Sequence, residues 1–343
     1  MKTIVWKIDP TIDHEPQIQA AAQLLKENEA VAFPTETVYG IGANAADDGA
    51  VKKIFEAKGR PSDNPLIIHI AKIQQLQELV QEVPPTAQKL MEAFWPGPLT
   101  IILKKKSGLS EFATAGLETV GIRMPDHPVA LALIAAADLP IAAPSANLSG
   151  KPSPTTAGHV EGDLSGRISG IVDGGETGVG VESTVLDCTT DIPVILRPGG
   201  VTKEDLLTVI DRVEEDAALH SEHEVPKAPG MKYTHYAPDA PFVLMDGSVD
   251  FIQNAIDRSK KEGKKVGVLT TVEHSGSYQA DYIITCGSRK DLSTVAAGIY
   301  DALRSFDDCG ADIIYGEVFP RDGIGDAIMN RLMKAAGHHL LKE

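Results

Sequence analysis

Residues 50–70 read AVKKIFEAKGRPSDNPLIIHI, a stretch in which a helical pattern gives way within a few residues to a strand pattern. A helix is predicted over Ala50–Lys58, because its apolar side chains recur at the i, i+3 and i+4 spacing of one helix face. Glycine followed by Arg60-Pro61 ends this helix, and residues 65–70 then predict a strand. A helix and a strand joined by such a short turn indicate a domain that mixes both.

Further strand patterns surround this stretch and outnumber the helical ones in the first 210 residues. They lie at 30–33, 99–103, 120–124, 183–187 and 194–196. One more helix is predicted over 16–28. We therefore expect an N-terminal α+β domain with a mixed, twisted sheet.

A second pattern begins near residue 241, where strands and helices alternate. The strands are predicted at 241–245, 265–270, 282–286 and 312–317, and the helices at 251–263, 292–306 and 324–336. This alternation predicts a smaller, parallel, Rossmann-like α/β domain. The segment has no G-x-G-x-x-G turn, so a dinucleotide is not indicated. The patterns divide the chain into residues 1–215, a linker at 216–240, and residues 241–343.

The composition is that of a globular protein. Of 343 residues, 43% are hydrophobic and 23% are charged, which excludes a disordered or collagen-like chain. No apolar stretch is long enough for a bilayer and the N-terminus turns polar too early for a secretory signal, so we expect a cytoplasmic protein without membrane attachment. The three cysteines form no C-x-x-C pair, which argues against a disulfide framework or a cysteine-ligated zinc.

The charge balance limits the partners. The formal net charge of −16 disfavours nonspecific nucleic-acid binding, so an anionic ligand needs a local cationic pocket. The P-loop, zincin, nucleophile-elbow and EF-hand motifs are absent from the sequence. The glycine-rich residues 178–183 favour a turn over a phosphate cradle.

Two cations, Lys58 and Arg60, flank the end of the predicted helix, in a turn that prolines stiffen. Fixed cations suit a polyphosphate, because arginine binds phosphate bidentately and lysine acts as a point charge. The same cations could instead complement the dipole at the end of the helix. The residues alone leave these two interpretations equal.

Three more candidates lie in or beside predicted strands. Arg123 alternates with apolar neighbours and shares a side with Gly121, which leaves room for a ligand. Arg197 follows a strand and precedes Pro-Gly-Gly, where a cation can point into a cleft. Surface exposure is the alternative for both arginines, and a satisfied core position is the alternative for His69.

Two segments rich in hydroxyl groups, residues 34–40 and 142–150, follow apolar strands. Their side chains can bind a nucleotide or an amino acid, or they can form turns. No Ser-His-Asp or Cys-His arrangement stands out, so covalent catalysis has little support.

Together the motifs resemble the YrdC family of L-threonylcarbamoyladenylate synthases, in the long form that carries an extra C-terminal domain. In order and spacing they are PTETVYGIGANA, KGRPSDNPLIIHI, WPGPLT, VGIRMPDHP, APSANLSGKPSPT, ESTVLD and ILRPGG, across residues 33–200. The segment APGMKYTHYAP is similar to the linker of the long form, whereas the C-terminal domain matches by pattern more than by motif.

The resemblance implies a nucleotidyltransferase. L-threonine, bicarbonate or CO2, and ATP would give L-threonylcarbamoyl-AMP and pyrophosphate, the first step toward N6-threonylcarbamoyladenosine in tRNA. Mg²⁺ is expected with ATP, and other proteins are expected to transfer the product's threonylcarbamoyl group to tRNA, with little or no direct nucleic-acid contact by this chain. Two anions must meet in such a site, which accounts for isolated cations in an acidic protein.

The resemblance also implies the site residues. Those expected to act in catalysis are Lys58, Arg60 and Arg123. Those expected to bind ATP are Lys58, Arg60, Asn64, Thr119, Asn147, Thr155, Arg197 and Tyr236. Those expected around threonine are Thr37, His69, Arg123, Ser145 and Ser183. No residue is an obvious general base, and no protein-held metal is expected.

The linker is predicted to cover the nucleotide site as a lid, with Tyr233, His235 or Tyr236 reaching the ligands. Its aromatic side chains and prolines favour this over an inert tether, and interdomain packing is the alternative. Two other function classes stay open: an RNA-binding, translation-associated module, and a plain ATPase or carbamoyltransferase that uses the same pocket.

Overall fold

The computed structural model describes residues 2–8, 14–219 and 235–343. So far as they are described, unit 1 is built from Met1–Ser149, Pro154–Gly178 and Glu182–Lys232, and unit 2 from Gly150–Ser153, Val179–Val181 and Tyr233–Glu343. A mixed sheet in unit 1 and a parallel sheet in unit 2 confirm the predicted fold class. The predicted division at residues 215 and 241 stays a prediction.

Unit 1 is organised around one mixed sheet. Its described strands are β1 (Ile4–Lys7), β2 (Val31–Phe33), β3 (Gly40–Asn44), β4 (Ile67–His69), β5 (Leu99–Lys104), β6 (Thr119–Arg123), β7 (Ile141–Ala143), β8 (Gly170–Asp173), β9 (Thr184–Asp187), β10 (Val194–Arg197) and β11 (Glu214–Glu215). Their order in the sheet is β1-β8-β2-β3-β7-β4-β6-β5-β9-β10-β11.

Helices and short 3-10 turns connect these strands. The α-helices are α1 (Glu15–Lys26), α2 (Asp48–Lys58), α3 (Leu76–Leu79), α4 (Pro85–Phe94), α5 (Glu111–Thr114), α6 (Pro128–Ala137), α7 (Ala157–Leu164) and α8 (Lys203–Leu207), and the 3-10 turns are Ile73–Gln75 and Ala217–Leu219. Only α1 and α2 were expected from the sequence, and helices α3 to α8 were not.

Helix α2 illustrates how local sequence sets the elements near the site. Asp47 caps its first turn by accepting a hydrogen bond from the amide of Ala50 at 2.7 Å. Gly59 ends it in the left-handed conformation, with φ of 61°. The predicted end of this helix is therefore confirmed, and Lys58 occupies its last turn.

Apolar side chains fill both faces of the unit 1 sheet. On one side α1 and α6 pack against it through Ile18, Leu25, Leu133 and Ile134, all fully buried. A larger cluster, which includes Ile54 of α2, fills the rest of the unit. This core holds the central strands rigidly, so side chains at their ends have fixed positions.

Unit 2 contains a parallel sheet, as expected. Its described strands are β12 (Phe242–Asp246), β13 (Val266–Thr270), β14 (Tyr282–Thr285), β15 (Ile313–Glu317) and β16 (Leu340–Lys342), in the order β14-β13-β15-β12-β16. Its helices are α9 (Val249–Lys261), α10 (Leu292–Cys309) and α11 (Ile324–Ala335). Among the residues described in either unit, no helix is both long and apolar enough to cross a bilayer.

Two short segments that precede the linker in sequence also belong to unit 2. Gly180 has a φ of 78°, and a Cβ placed on it would lie 2.3 Å from the carbonyl oxygen of Ala296 in α10. In the other segment, the carbonyl of Pro152 accepts a hydrogen bond from Arg304 at 2.6 Å. Close packing on α10 thus explains the glycine at position 180.

Candidate active site

One face of the unit 1 sheet carries several of the predicted residues in register. His69 of β4 lies beside Arg123 of β6, and Ile67 lies beside Gly121. Residues two apart share a face, so Thr119, Gly121 and Arg123 project from the same side of β6. The predicted pairing of Arg123 and Gly121 on one side agrees with this register.

Gly121 lies in a crowded part of this face. A Cβ on Gly121 would lie 3.1 Å from Cγ2 of Thr100, which is tighter than ordinary packing. A small cavity of about 20 Å³ lies beside it, lined also by Ile67, Thr100 and Thr119. This face therefore has an apolar floor with polar side chains at its edges.

Arg123 is almost fully buried, at 4% exposure, and its guanidinium group meets three different neighbours. Nε donates a hydrogen bond to the carbonyl of Gly97 at 3.2 Å, and Nη1 donates one to Oγ1 of Thr37 at 3.0 Å. Nη2 lies 2.6 Å from Oε1 of Glu36. A cation this deeply buried requires such partners, since burial without them is very costly.

Thr37 is held by a short relay of hydroxyl groups in the loop between β2 and β3. Oγ1 of Thr35 lies 2.7 Å from the carbonyl of Val38 and 2.8 Å from Oγ1 of Thr37. Thr35 donates to the carbonyl, so Thr37 donates to Thr35 and accepts from Arg123. The relay fixes Arg123 and Thr37 relative to each other.

His69 is buried next to this group, at 5% exposure. Burial and, to a lesser extent, the positive charge of Arg123 lower the pKa of His69 to about 3. Its Nδ1 lies 3.2 Å from the carbonyl of Ile67. The imidazole is therefore neutral at ordinary pH, so it can donate or accept a hydrogen bond but adds no charge.

A second arginine lies along the same edge. Arg197, at the end of β10 and 4% exposed, donates from Nε and Nη2 to the carbonyl of Ser183 at 3.1 and 2.8 Å. Its Nη2 also lies 3.1 Å from Oγ of Ser183, which in turn lies 2.8 Å from Oγ1 of Thr100. Strand pairing places Thr100 next to Arg123. The arginine row, defined as Arg123, Thr100, Ser183 and Arg197, thus places two buried cations along one edge of the sheet, with two hydroxyl groups between them.

Lys58 has a different environment from the one expected for a residue that only touches phosphates. It is 3% exposed, and its Nζ donates to the carbonyl of Ser145 and to the carbonyl and Oδ1 of Asn147, the latter two at 2.7 and 3.3 Å. These bonds tie the end of α2 to the loop after β7. Lys58 therefore holds Ser145 and Asn147 in place.

Arg60 and Asn64 lie in the turn that follows. Arg60 is half-buried and lines an open cleft of about 510 Å³ with Lys52 and Phe112, and its Nη2 lies 3.4 Å from the carbonyl of Asn64. The side-chain amide of Asn64 is 3% exposed, and neither its oxygen nor its nitrogen has a hydrogen-bond partner among the described residues. A buried amide without partners is rare and suits a ligand.

Thr155 and Tyr236, two of the remaining predicted residues, each contact neighbours of their own. Thr155 is buried, with Oγ1 3.5 Å from Nδ1 of His159. Tyr236 belongs to unit 2, where its ring stacks on Tyr300 at 5.1 Å and lies 5.8 Å from the guanidinium carbon of Arg331. Of the other linker residues predicted to reach the ligands, His235 has its ring 5.6 Å from that of Tyr236, whereas Tyr233 lies outside the described residues.

Glu36, Thr35 and Thr100 were not among the site residues predicted from the sequence. Glu36 and Thr35 stand within the quoted motif PTETVYGIGANA, but only the fold brings Glu36 to Arg123. Thr100 could have been found from the sequence, because it is a hydroxyl residue in the otherwise apolar strand β5. It faces the same side as Gly121. Within the described ranges, no cluster of three His, Cys, Asp or Glu side chains could hold a metal ion.

Two family profiles match the chain and together cover most of it. Residues 23–199 match Sua5_yciO_yrdC, described as telomere recombination, and residues 201–337 match the C-terminal domain of threonylcarbamoyl-AMP synthase. These matches confirm the resemblance drawn from the motifs.

Individual relatives are similar over the full length. The threonylcarbamoyl-AMP synthase of Bacillus subtilis is 61% identical, with 100% of both chains covered, and that of Pyrococcus abyssi is 49% identical, with 99% of both covered. The crystal structure of P. abyssi Sua5 complexed with L-threonine is 47% identical in sequence, with 100% of both chains covered and a TM-score of 0.93.

Proposed function

We propose that this chain, which belongs to the Sua5/YciO/YrdC family, synthesises L-threonylcarbamoyl-AMP and pyrophosphate from L-threonine, bicarbonate or CO2, and ATP. The observation that carries the proposal is the arginine row, which puts two buried guanidinium groups on one sheet edge of a protein with a net charge of −16. Such a site favours anionic reactants. Full-length relatives that bear the name of this enzyme support the choice of substrates.

In this reaction Arg123 binds the carboxylate of threonine. The residues proposed around threonine are Thr37, His69, Arg123, Ser145 and Ser183. The threonine nitrogen, once deprotonated, attacks CO2 and becomes a carbamate, with the second nitrogen proton released to solvent. A carbamate oxygen then attacks the α-phosphorus of ATP, and the bond to pyrophosphate breaks, with pyrophosphate taking the electron pair.

The protein contributes mainly position and charge. Carbamate and triphosphate are both anions, so cations must hold them at reacting distance and stabilise the charge that shifts to pyrophosphate. The residues proposed for ATP are Lys58, Arg60, Asn64, Thr119, Asn147, Thr155, Arg197 and Tyr236. The unpartnered amide of Asn64 supports this role. The contacts of Lys58 support a role in fixing the loop that carries Asn147.

Mg²⁺ is proposed to arrive with ATP. The described part of the chain offers no cluster of three metal-ligating side chains, so its residues do not fit a resident metal site. An ion held mainly by the phosphates is the arrangement that Mg²⁺ usually takes with nucleotides. The roles of the protein residues given above do not depend on it.

We further propose that the product leaves to separate proteins that transfer threonylcarbamoyl to tRNA, in the cytoplasm. The net charge supports this division of labour, because this chain repels a polyanion overall. The linker at 216–240 is proposed to close over the nucleotide and exclude water from a carbamate and a mixed anhydride that hydrolyse easily. Protection of the linker from limited proteolysis by ATP and threonine would support the lid.

Pyrophosphate release measured with each substrate omitted in turn tests the function. The synthase requires threonine, bicarbonate and ATP together, and mass spectrometry of the mixture finds threonylcarbamoyl-AMP. Phosphate or pyrophosphate release without threonine would indicate a plain ATPase, and retention of tRNA without ATP would indicate an RNA-binding module. Serine, which lacks one methyl group, should react about fivefold less well, and valine, which lacks the hydroxyl, about 100-fold less well or worse.

A further inference from the structure

Glu36 carries a buried carboxylate whose hydrogen-bonding capacity is not used. Its side chain is 13% exposed, and each of its two oxygens is sealed from solvent. Neither oxygen accepts a hydrogen bond from any described residue. Buried carboxylates normally accept several hydrogen bonds, because an ionised group out of water is otherwise expensive.

Its neighbour Arg123 is unsatisfied in a complementary way. Nε and Nη1 of Arg123 have protein acceptors, but Nη2 makes no hydrogen bond with any described residue, although it lies 2.6 Å from Oε1 of Glu36. The two groups are thus close enough for an ion pair but are not aligned to share a proton. Each has hydrogen-bonding capacity left for a group of opposite charge, which can reach these sealed atoms once the two side chains part.

A free amino acid carries such a pair of charges, a carboxylate and an ammonium group on adjacent atoms. We propose that Glu36 binds the ammonium group of the substrate while Arg123 binds its carboxylate, so that the pair recognises a zwitterion. This inference rests on the proposed function and deepens it, because it assigns the group that selects an α-amino acid.

Binding then exchanges partners at constant charge. Without substrate, Glu36 and Arg123 neutralise each other at 2.6 Å. With substrate, each gains an aligned, charge-assisted hydrogen bond, which is stronger than the misaligned contact it replaces. A ligand with only the carboxylate would satisfy Arg123 but leave Glu36 buried beside a second negative charge, so it should bind poorly.

Binding of two ligands to three proteins tests this assignment by calorimetry. The ligands are L-threonine and (R)-3-hydroxybutyrate, which is threonine without its amino group. The proteins are the wild type, Glu36→Gln, and Asp126→Asn as a matched control. Asp126 is exposed, and its negative charge, like that of Glu36, acts to raise the pKa of His127. The control substitution therefore removes the same charge from the same neighbourhood.

The wild type should bind threonine about 10- to 100-fold more tightly than 3-hydroxybutyrate. Glu36→Gln should lose most of this preference, and Asp126→Asn should keep it. If Glu36→Gln folds and prefers threonine as strongly as the wild type does, the assignment is wrong.

If the Glu36→Gln variant does not fold, the affinities of the wild type for the two ligands still test the assignment. Equal affinity of the wild type for the two ligands, or no binding of threonine, would overturn the assignment. The proposed synthase activity is judged separately. A shifted preference in Glu36→Gln together with a wild type that forms no threonylcarbamoyl-AMP would contradict the synthase but not the role of Glu36.

Discussion

Units 1 and 2 each bury a glutamate beside an arginine, and the two carboxylates have opposite surroundings. Glu317, at the end of β15 in unit 2, is 4% exposed and accepts four hydrogen bonds. The donors are Thr270 at 2.8 Å, His274 at 2.9 Å, Tyr278 at 2.7 Å and Arg289 at 2.7 Å. Glu36, in unit 1, accepts none from the described residues.

The pKa of Glu317 reflects this saturation. Burial alone raises the pKa of a carboxyl, but the hydrogen bonds led by Arg289 and Tyr278 outweigh burial and hold the pKa of Glu317 below its usual value. Its charge is therefore stabilised by the fold itself. A carboxylate of this kind has no hydrogen-bonding capacity left for a ligand. Glu36, in contrast, still has such capacity. We infer that the saturated carboxylate of Glu317 serves structure and the unsaturated one of Glu36 serves binding.

The same substitution at the two glutamates should have very different effects on stability. Glu317→Gln puts an NH2 group among four donors and should cost about 3–5 kcal/mol of local stability, while Glu36→Gln should cost less than half as much. Hydrogen exchange monitored by mass spectrometry in α10 and β15 measures the first, and exchange in β6 measures the second. Equal losses at both sites would contradict the distinction.

Lys58 extends the comparison to a saturated cation inside unit 1. Lys58→Met leaves the carbonyls of Ser145 and Asn147 without their donor, which should lower the free energy of unfolding by about 3 kcal/mol. Urea denaturation measures this change. Lys53→Met is the control, because Lys53 forms a more exposed ion pair with Glu29 and its loss should cost about 1 kcal/mol or less. A Lys58 variant as stable as the control would assign Lys58 to the ligand alone.

Arg60 should show the opposite behaviour. It is half-buried in a turn, so Arg60→Ala should change the free energy of unfolding by no more than about 0.5 kcal/mol. Its loss from the phosphate site should lower kcat/KM for ATP about 100-fold. Pyrophosphate formation and urea denaturation of the same preparation measure both effects. Near-normal synthesis, or loss of the fold, would count against the phosphate role.

His69 gives a smaller, pH-dependent effect. The folded protein keeps His69 neutral because its pKa is about 3, whereas the unfolded chain takes up a proton below pH ~6.5. The free energy of unfolding should therefore fall as the pH drops below ~6.5, by up to about 1.4 kcal/mol per pH unit from this residue.

His69→Gln should flatten that slope. Burial also lowers the pKa of His127, which adds to the same window, so His127→Gln is the matched variant. Urea denaturation at pH 7, 6 and 5 compares the three proteins. An unchanged slope in His69→Gln would show that His69 is not buried in its neutral form.

The elements that the sequence predicted best have strong local signals. Helix α2 has a periodic apolar face, an aspartate cap and a glycine stop, and unit 2 alternates strands and helices. Helix α6, PVALALIAAA, was missed because nearly every residue is apolar and no polar face marks a period. Only its packing against α1 explains that composition.

The candidate site was predictable only in part, for a related reason. Cations at strand ends are visible in the sequence, so Arg123 and Arg197 were found. The partners of these cations cannot be predicted from the sequence. Glu36 and Arg123, for example, are 87 residues apart in the chain and come together only in the folded sheet. For the same reason the contacts of Lys58 with the loop after β7 had no sequence signal.

A crystal structure of this chain with L-threonine would show directly which protein groups the two charges of the substrate contact. We expect the carboxylate at hydrogen-bond distance, about 3 Å, from Nη2 of Arg123 and the ammonium at the same distance from an oxygen of Glu36. Threonine bound with its ammonium away from Glu36, or bound at a place that contacts neither residue, would contradict it.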